Sequence, residues 1–188
     1  MMDQLRSFAL LALIAALGGC AAAVVGGAGT AVVVAEDRRT VGTVTEDQGI
    51  EVKASSRINE KFKDVHFNVT SYNRMVLLTG EAPDQATRAE MGRIVRAVEN
   101  VRGVYNELAI AGNSSLSARA NDSYLTSKVK ARFVDQQKFN PVHVKVVTEA
   151  NTVYLLGMVR RKEADDATEI ARTTGGVQKV VKLFEYID

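Results

Sequence analysis

Val65-His66-Phe67-Asn68-Val69-Thr70, followed by Val76-Leu77-Leu78-Thr79-Gly80, comes back later in the chain as Val142-His143-Val144-Lys145-Val146-Val147 followed by Val153-Tyr154-Leu155-Leu156-Gly157, both segments displaced by the same offset. The match extends outward from this pair. Upstream, Ser56-Arg57-Ile58 with Phe62 aligns with Ser127-Lys128-Val129 with Phe133 once an insertion is allowed near Gln136 to Pro141, and Tyr124 then stands opposite Lys53. Downstream, Val101-Arg102-Gly103-Val104-Tyr105 aligns with Val177-Gln178-Lys179-Val180-Val181 after one residue of slippage. A match of this extent is an internal duplication, so the fold is one unit read twice.

Each unit reads as helix, strand, strand, helix, strand. In the second, Asn121-Asp122 is positioned as a helix N-cap, and Leu125, Val129 and Phe133 share one helical face. Val142, Val144 and Val146 alternate with His143 and Lys145, the pattern of a strand with one side turned inward. Asn151 turns the chain into Val153 to Leu156, with Gly157 closing that strand, and a helix from Glu163 to Thr173 leads to a last strand from Val177 to Ile187. The first unit repeats this plan, with Pro83 and Asp84 opening its second helix. A helix between two strands is a crossover, so the second and third strands run parallel while the hairpin is antiparallel. The expected class is α+β: two tandem α-β-β-α-β domains, each a three-stranded mixed sheet with two helices on one face. A unit of about 65 residues buries only about 60% of its unfolded surface, so the two are expected to pack against each other.

The amino terminus reads differently. From Ser7 to Ala35 there is no charge, and Phe8 to Leu17 is strongly apolar, the layout of a secretory signal peptide. Leu17-Gly18-Gly19-Cys20 resembles the lipobox of bacterial lipoproteins, in which a peptidase cuts before an acylated Cys, and Cys20 is the chain's single Cys. The competing reading is a membrane-spanning helix over the same stretch, which Gly18, Gly19, Gly26, Gly27 and Gly29 disfavour. The domain plan is therefore a signal peptide over 1–19, a lipidated Cys20 and tether over 20–49, a first domain over 50–112, a linker over 113–120 and a second domain over 121–188. A tether from Ala21 to Gly49 spans at most about 100 Å.

Composition excludes several function classes. The 188 residues carry 24 Lys plus Arg against 22 Asp plus Glu, too even a balance for bulk nucleic-acid binding. One Cys and two His fall short of a Cys/His zinc or iron–sulfur site and allow no internal disulfide, so no metal or cofactor is expected. His66 and His143 sit at equivalent positions and read as a shared surface position on the solvent side of each first strand. No nucleophile elbow and no opposed carboxylates are evident, which argues against an enzyme. Beside the stripe of Leu125, Val129 and Phe133, Tyr124 and Lys128 lie on one flank with Arg132 near the edge and Lys130 across from them. An aromatic with a polar tip among cations suits a lipid headgroup boundary; equally, Tyr124 could pack on the neighbouring unit while the cations face solvent.

The paired α-β-β-α-β order, the Gly at the end of each second strand, Asn121-Asp122-Ser123-Tyr124-Leu125-Thr126-Ser127-Lys128-Val129 and Gly103-Val104-Tyr105-Asn106-Glu107 resemble the BON domain family. With the lipobox and Asp37-Arg38-Arg39-Thr40-Val41-Gly42-Thr43, the whole chain is similar to dual-BON outer-membrane lipoproteins. That resemblance implies a lipid-anchored, monomeric, non-enzymatic protein on the periplasmic side of the outer membrane that supports its integrity. It further implies binding of anionic phospholipid through the first helix of the second domain, with Tyr124, Leu125, Ser127, Lys128, Lys130, Ala131 and Arg132 as the contact residues and Tyr124 where similar proteins carry Trp. The alternative is a module that docks envelope-assembly or division proteins. Replacing Cys20 by Ala is expected to release the protein into the periplasm or leave an uncleaved precursor, since two or more acyl chains at about 0.8 kcal/mol per buried methylene supply the anchor. Fractionation of the envelope with an immunoblot for precursor and mature forms reads the outcome.

Overall fold

Both repeats open with a 21-residue helix that begins earlier than the sequence pattern suggests. The computed structural model describes residues 37–188, so the signal peptide and Cys20 lie outside the described residues. Helix α1 (Val41–Lys61) starts after Thr40, whose hydroxyl accepts from the Thr43 amide, and it occupies the part of the expected tether from Val41 to Gly49. In the second repeat the helix following the connector is capped by Ser115, which accepts from Ala118 N, so the linker over 113–120 is largely helical too. Ser and Thr oxygens satisfy orphan amides at these ends. Gly42, Gly49 and the polar residues around them hide the first turns from a periodicity reading. Asn121-Asp122 is not a cap at all: it lies inside the helix, and Asp122 is buried.

The strands explain why an Asp is buried there. Strand β1 (Phe67–Tyr72) pairs antiparallel with β2 (Met75–Ala82) through a two-residue turn, Asn73-Arg74, with φ of 49° and 64°. In the second repeat, Ala150-Asn151, at φ 48° and 59°, joins β5 (Val144–Glu149) to β6 (Thr152–Val159). Consecutive left-handed residues make the turn that matches strand twist, yet Arg and Ala adopt that conformation only at a cost. A helix carboxylate compensates. Asp47 accepts from Asn73 N and Arg74 N at 2.8 and 2.7 Å, and from the Ser71 hydroxyl at 2.6 Å. Asp122 accepts from Ala150 N and Asn151 N, both at 2.9 Å.

These two carboxylates also set the register between the repeats. The buried series Asp47, Ile50, Ala54, Ile58 corresponds one for one to Asp122, Leu125, Val129, Phe133. The upstream alignment of Ile58 with Val129 is therefore one helical turn out of step. Tyr124 corresponds to Gly49, while Lys53 pairs with Lys128 and Arg57 with Arg132. Residues four apart share a helical face, so a one-turn slip preserves the apolar pattern and only the polar anchor reveals it.

Each repeat then runs through its crossover. Helix α2 (Gln85–Arg96) leads to β3 (Gly103–Asn106) and β4 (Ala109–Ile110), both parallel to β2; α3 (Leu116–Gln136) and a 3-10 turn at Pro141–His143 precede β5, and α4 (Arg161–Arg172) leads to β7 (Lys179–Tyr186), parallel to β6. The sheet orders β1-β2-β3 and β5-β6-β7 are the mixed α+β plan expected, with β4 continuing the third strand of the first sheet. Gly80 and Gly157 lie inside their strands rather than at the ends. A Cβ on either would stand 2.3 Å from the carbonyl oxygen of His66 or His143, where the hairpin partner crosses closely.

The two helices of each repeat cover one sheet face: Val76 and Leu78 pack with Ile58, Met91 and Val95, and Val153 and Leu155 with Val129, Phe133 and Ile170. The opposite faces are buried as well. Tyr72 and Leu77 from the first repeat join Tyr154 and Leu156 from the second in one cluster, with Val147 and Leu183 against it. This shared core makes the central strands apolar on both sides, which is why they read as nearly unbroken hydrophobic runs. Burying a Leu contributes about 1.5–3 kcal/mol, enough for a few such residues to decide whether a marginal repeat stands alone.

A strap crosses the two halves just before α1. Arg38 donates to both carboxylate oxygens of Glu163 at 2.6 and 2.8 Å and to the Met158 carbonyl at 2.7 Å, all in the second repeat. Arg39 reaches the first repeat, donating to Asp47 at 2.9 Å and stacking 3.9 Å from the Tyr72 ring centre. The Arg38 fork lowers the Glu163 carboxyl from its ordinary 4.5 to about 2. A carboxylate with a depressed folded-state value stabilises fully above its unfolded value and loses that contribution as pH falls through the folded one. Glu163→Gln is therefore expected to cost roughly 2 kcal/mol near neutrality, and its gap from the parent to close between pH 4.5 and 2 in urea unfolding series. Asp47→Ala is expected to cost more than Asp122→Ala, about 4 against about 2–3 kcal/mol, because it frees two turn amides, Ser71 and Arg39 together. Denaturant midpoints of the two variants give the comparison.

Candidate functional site

Helix α3 turns an uncharged stripe to solvent. Leu116 is 81% exposed, Tyr124 63% and Val134 61%, and Ala120, Ser123, Ser127 and Ala131 lie exposed along the same side. The spacing of three and four residues keeps them in line over about 27 Å of helix. The Ser127 and Ser123 hydroxyls donate back to the carbonyls of Ser123 and Arg119, both at 3.0 Å. Serines satisfied within the helix lose less than free hydroxyls on leaving water.

The predicted contact residues divide into two groups on this frame. Tyr124, Ser127, Lys130 and Ala131 are at the surface, and Tyr124 does not pack between the repeats. Leu125 is 2% exposed and belongs to the interior, so it is not a surface contact. Arg132 is tied down, donating to the Ile170 carbonyl at 2.9 Å and to the Thr174 hydroxyl at 2.7 Å. Its counterpart Arg57 donates to the Ala97 carbonyl at 3.0 Å. The shared role is to complete the end of the second helix of each repeat, where carbonyls are left without amide partners.

Lys128 and Lys53 show how the halves have diverged. Lys53 pairs with Glu99 at 3.1 Å, whereas Lys128 donates to the neutral Gly175 carbonyl at 2.9 Å with its ammonium 5.9 Å from the Tyr124 ring centre. A carbonyl leaves the ammonium's net charge uncancelled. Among the described residues Lys130, on the other flank, makes no ion pair. Glu51 is likewise occupied, receiving Lys145 from the second repeat at 2.8 Å.

His66 is not on a solvent-facing strand position. Its side chain is 13% exposed, just ahead of β1, with Nδ1 2.9 Å from Glu81 and 3.9 Å from Glu149 of the other repeat. Asn68 donates to Glu149 at 3.0 Å, and Ser114 N to Glu81 at 3.1 Å. Burial, reinforced by the neighbouring Glu81 charge, pushes the Glu149 carboxyl up. The group opens onto a cleft of about 520 Å³ between the repeats, lined also by Arg119, Asp122 and Thr126. His143 is equally sheltered, its side chain 13% exposed in the 3-10 turn near Glu163, so neither His takes the solvent-facing strand position expected. Sequence reasoning missed this convergence because it weighed only Cys and His; Glu81, an acid directly after Gly80 where the second repeat has Met158, was its one visible sign.

No helix among the described residues is long and apolar enough to cross a membrane. Residues 46–112 and 121–188 each match the family model of the BON domain. The chain is 37% identical over 175 residues to "Outer membrane lipoprotein DolP" of Haemophilus influenzae, covering 92% of this chain and 91% of that one. It is 29% identical to a "21 kDa hemolysin" of Actinobacillus pleuropneumoniae, over 80% of this chain and 79% of that one. With "Osmotically-inducible protein Y" of Escherichia coli the identity is 30%, covering 74% and 72% respectively.

Proposed function

This chain belongs to the BON domain family, and from that membership we propose that it is an envelope protein, lipid-anchored through Cys20 at the periplasmic face of the outer membrane, whose α3 binds anionic phospholipid and thereby supports membrane integrity. The observation that carries the lipid reading is the uncharged α3 stripe with Tyr124 at its centre, flanked by Lys128 and Lys130. A ring with a polar tip partitions into the headgroup boundary, and each nearby cation contributes about 1 kcal/mol at an anionic surface. The described fold begins at Asp37, so about 16 residues separate it from Cys20, a span of at most about 55 Å. Such a span holds the helix within reach of the anchoring leaflet, where even weak contact is favoured by high effective concentration.

Tyr124 and Lys130 are the informative positions, because neither supports the fold, whereas Lys128 and Arg132 also latch the helix ends. Tyr124→Glu combined with Lys130→Glu is expected to weaken co-sedimentation of the unacylated chain with anionic vesicles by more than about tenfold, equivalent to 1.4 kcal/mol. Its circular dichroism should match the parent. Parent binding should fall as salt rises, and neutral vesicles should bind poorly. Undiminished anionic binding by the folded double variant transfers the function to protein docking.

A further inference from the structure

We propose that His66, Glu81 and Glu149 form a binding site for a borderline divalent metal ion, of which Zn²⁺ is the best fit, joining the two BON repeats. One ligand atom from each residue lies within 4.8 Å of the others, the sole such group of three or more metal-ligating side chains among the described residues. The distances from His66 Nδ1, 2.9 Å to Glu81 and 3.9 Å to Glu149, bracket the edge of about 3.4 Å that a tetrahedron with bonds near 2.1 Å requires. Small side-chain movements close the geometry, and water from the adjoining cleft supplies the fourth position.

The chemistry of the donors agrees with that ion. An imidazole with two carboxylates suits zinc, and two anionic ligands balance a dication in a place where solvent is largely excluded. Outer partners are already in place: Asn68 donates to Glu149 and Ser114 N to Glu81, each fixing a carboxylate as second-layer hydrogen bonds do in metal sites. Arg119, the nearby cation, is engaged by the Ser114 hydroxyl and carbonyl.

The duplicate position shows that the arrangement does not arise from the fold alone. At the equivalent place in the second repeat, Met158 stands where Glu81 does, and Glu163 near His143 is held by both arms of Arg38. Two ligands come from the first repeat and one from the second, so binding requires both halves in their packed arrangement.

The test uses the full chain with Cys20→Ser, so that no thiol competes, purified untagged in detergent, stripped with EDTA and titrated with ZnCl₂. One zinc per chain is expected, with a rise in Tm of about 5–10 °C at zinc a hundredfold above Kd. His66→Gln and Glu149→Gln are each expected to weaken zinc binding at least about tenfold, and Asn68→Ala about tenfold. His143→Gln should bind as the parent does. Circular dichroism of the stripped variants establishes that they fold, and visible d–d bands on Co²⁺ loading report the site in any variant that does. Failure of the parent to take up zinc overturns the proposal, as does uptake unchanged by both His66→Gln and Glu149→Gln or abolished by His143→Gln.

Discussion

A buried carboxylate holding a hairpin turn is the interaction on which each repeat depends. Asp47 and Asp122 reach from the first helix to two amides of a left-handed two-residue turn, so one side chain ties helix, turn and both strands together. Each bond to a charged acceptor stabilises by about 1.5–3 kcal/mol, enough to offset left-handed Arg74, Ala150 and their neighbours. With the turn pinned, the apolar faces of β1 and β5 cannot slip by a residue without losing their place over the helix.

The first repeat elaborates the device into a link between domains. Asp47 also receives Arg39, which stacks on Tyr72, and Tyr72 belongs to the core shared by both sheets. Next to it, Arg38 grips Glu163 of the second repeat. The segment just before α1 thus connects a turn anchor, a shared core and the far domain, and residues 37–188 form one compact unit. Isolating either repeat would expose Leu77 or Leu156 with its neighbours.

Duplication left the scaffold alike and the surfaces different. Arg57 and Arg132 do the same structural work, whereas Lys53 is neutralised by Glu99 and Lys128 keeps its net charge beside Tyr124. In the opposite sense, the first repeat carries Glu81 where the second has Met158. The two repeats differ in the outward helix of one and the inward corner of the other, while the carboxylate anchor beneath is the same in both.

The sequence by itself determined the duplication, the α-β-β-α-β order, the parallel crossover and the aromatic-cationic character of α3, because apolar periodicity and turn residues are local signals. It also pointed to packing of the repeats on each other, since a unit of this size is marginal alone. The helix starts are not legible: Thr40 and Ser115 cap turns with no apolar stripe, so the first turns of α1, from Val41 to Gly49, read as tether and the start of α3 reads as linker. The one-turn slip that set Tyr124 opposite Lys53 arose because helical periodicity is degenerate by a turn, and only the buried aspartates break it. Which cations on α3 serve the fold, that Leu125 faces inward, and that His66, Glu81 and Glu149 meet were decided by tertiary structure alone. The physical reason is that a side chain's charge and chemistry are local properties, while its partner is whatever the packing of distant segments brings within a few ångströms.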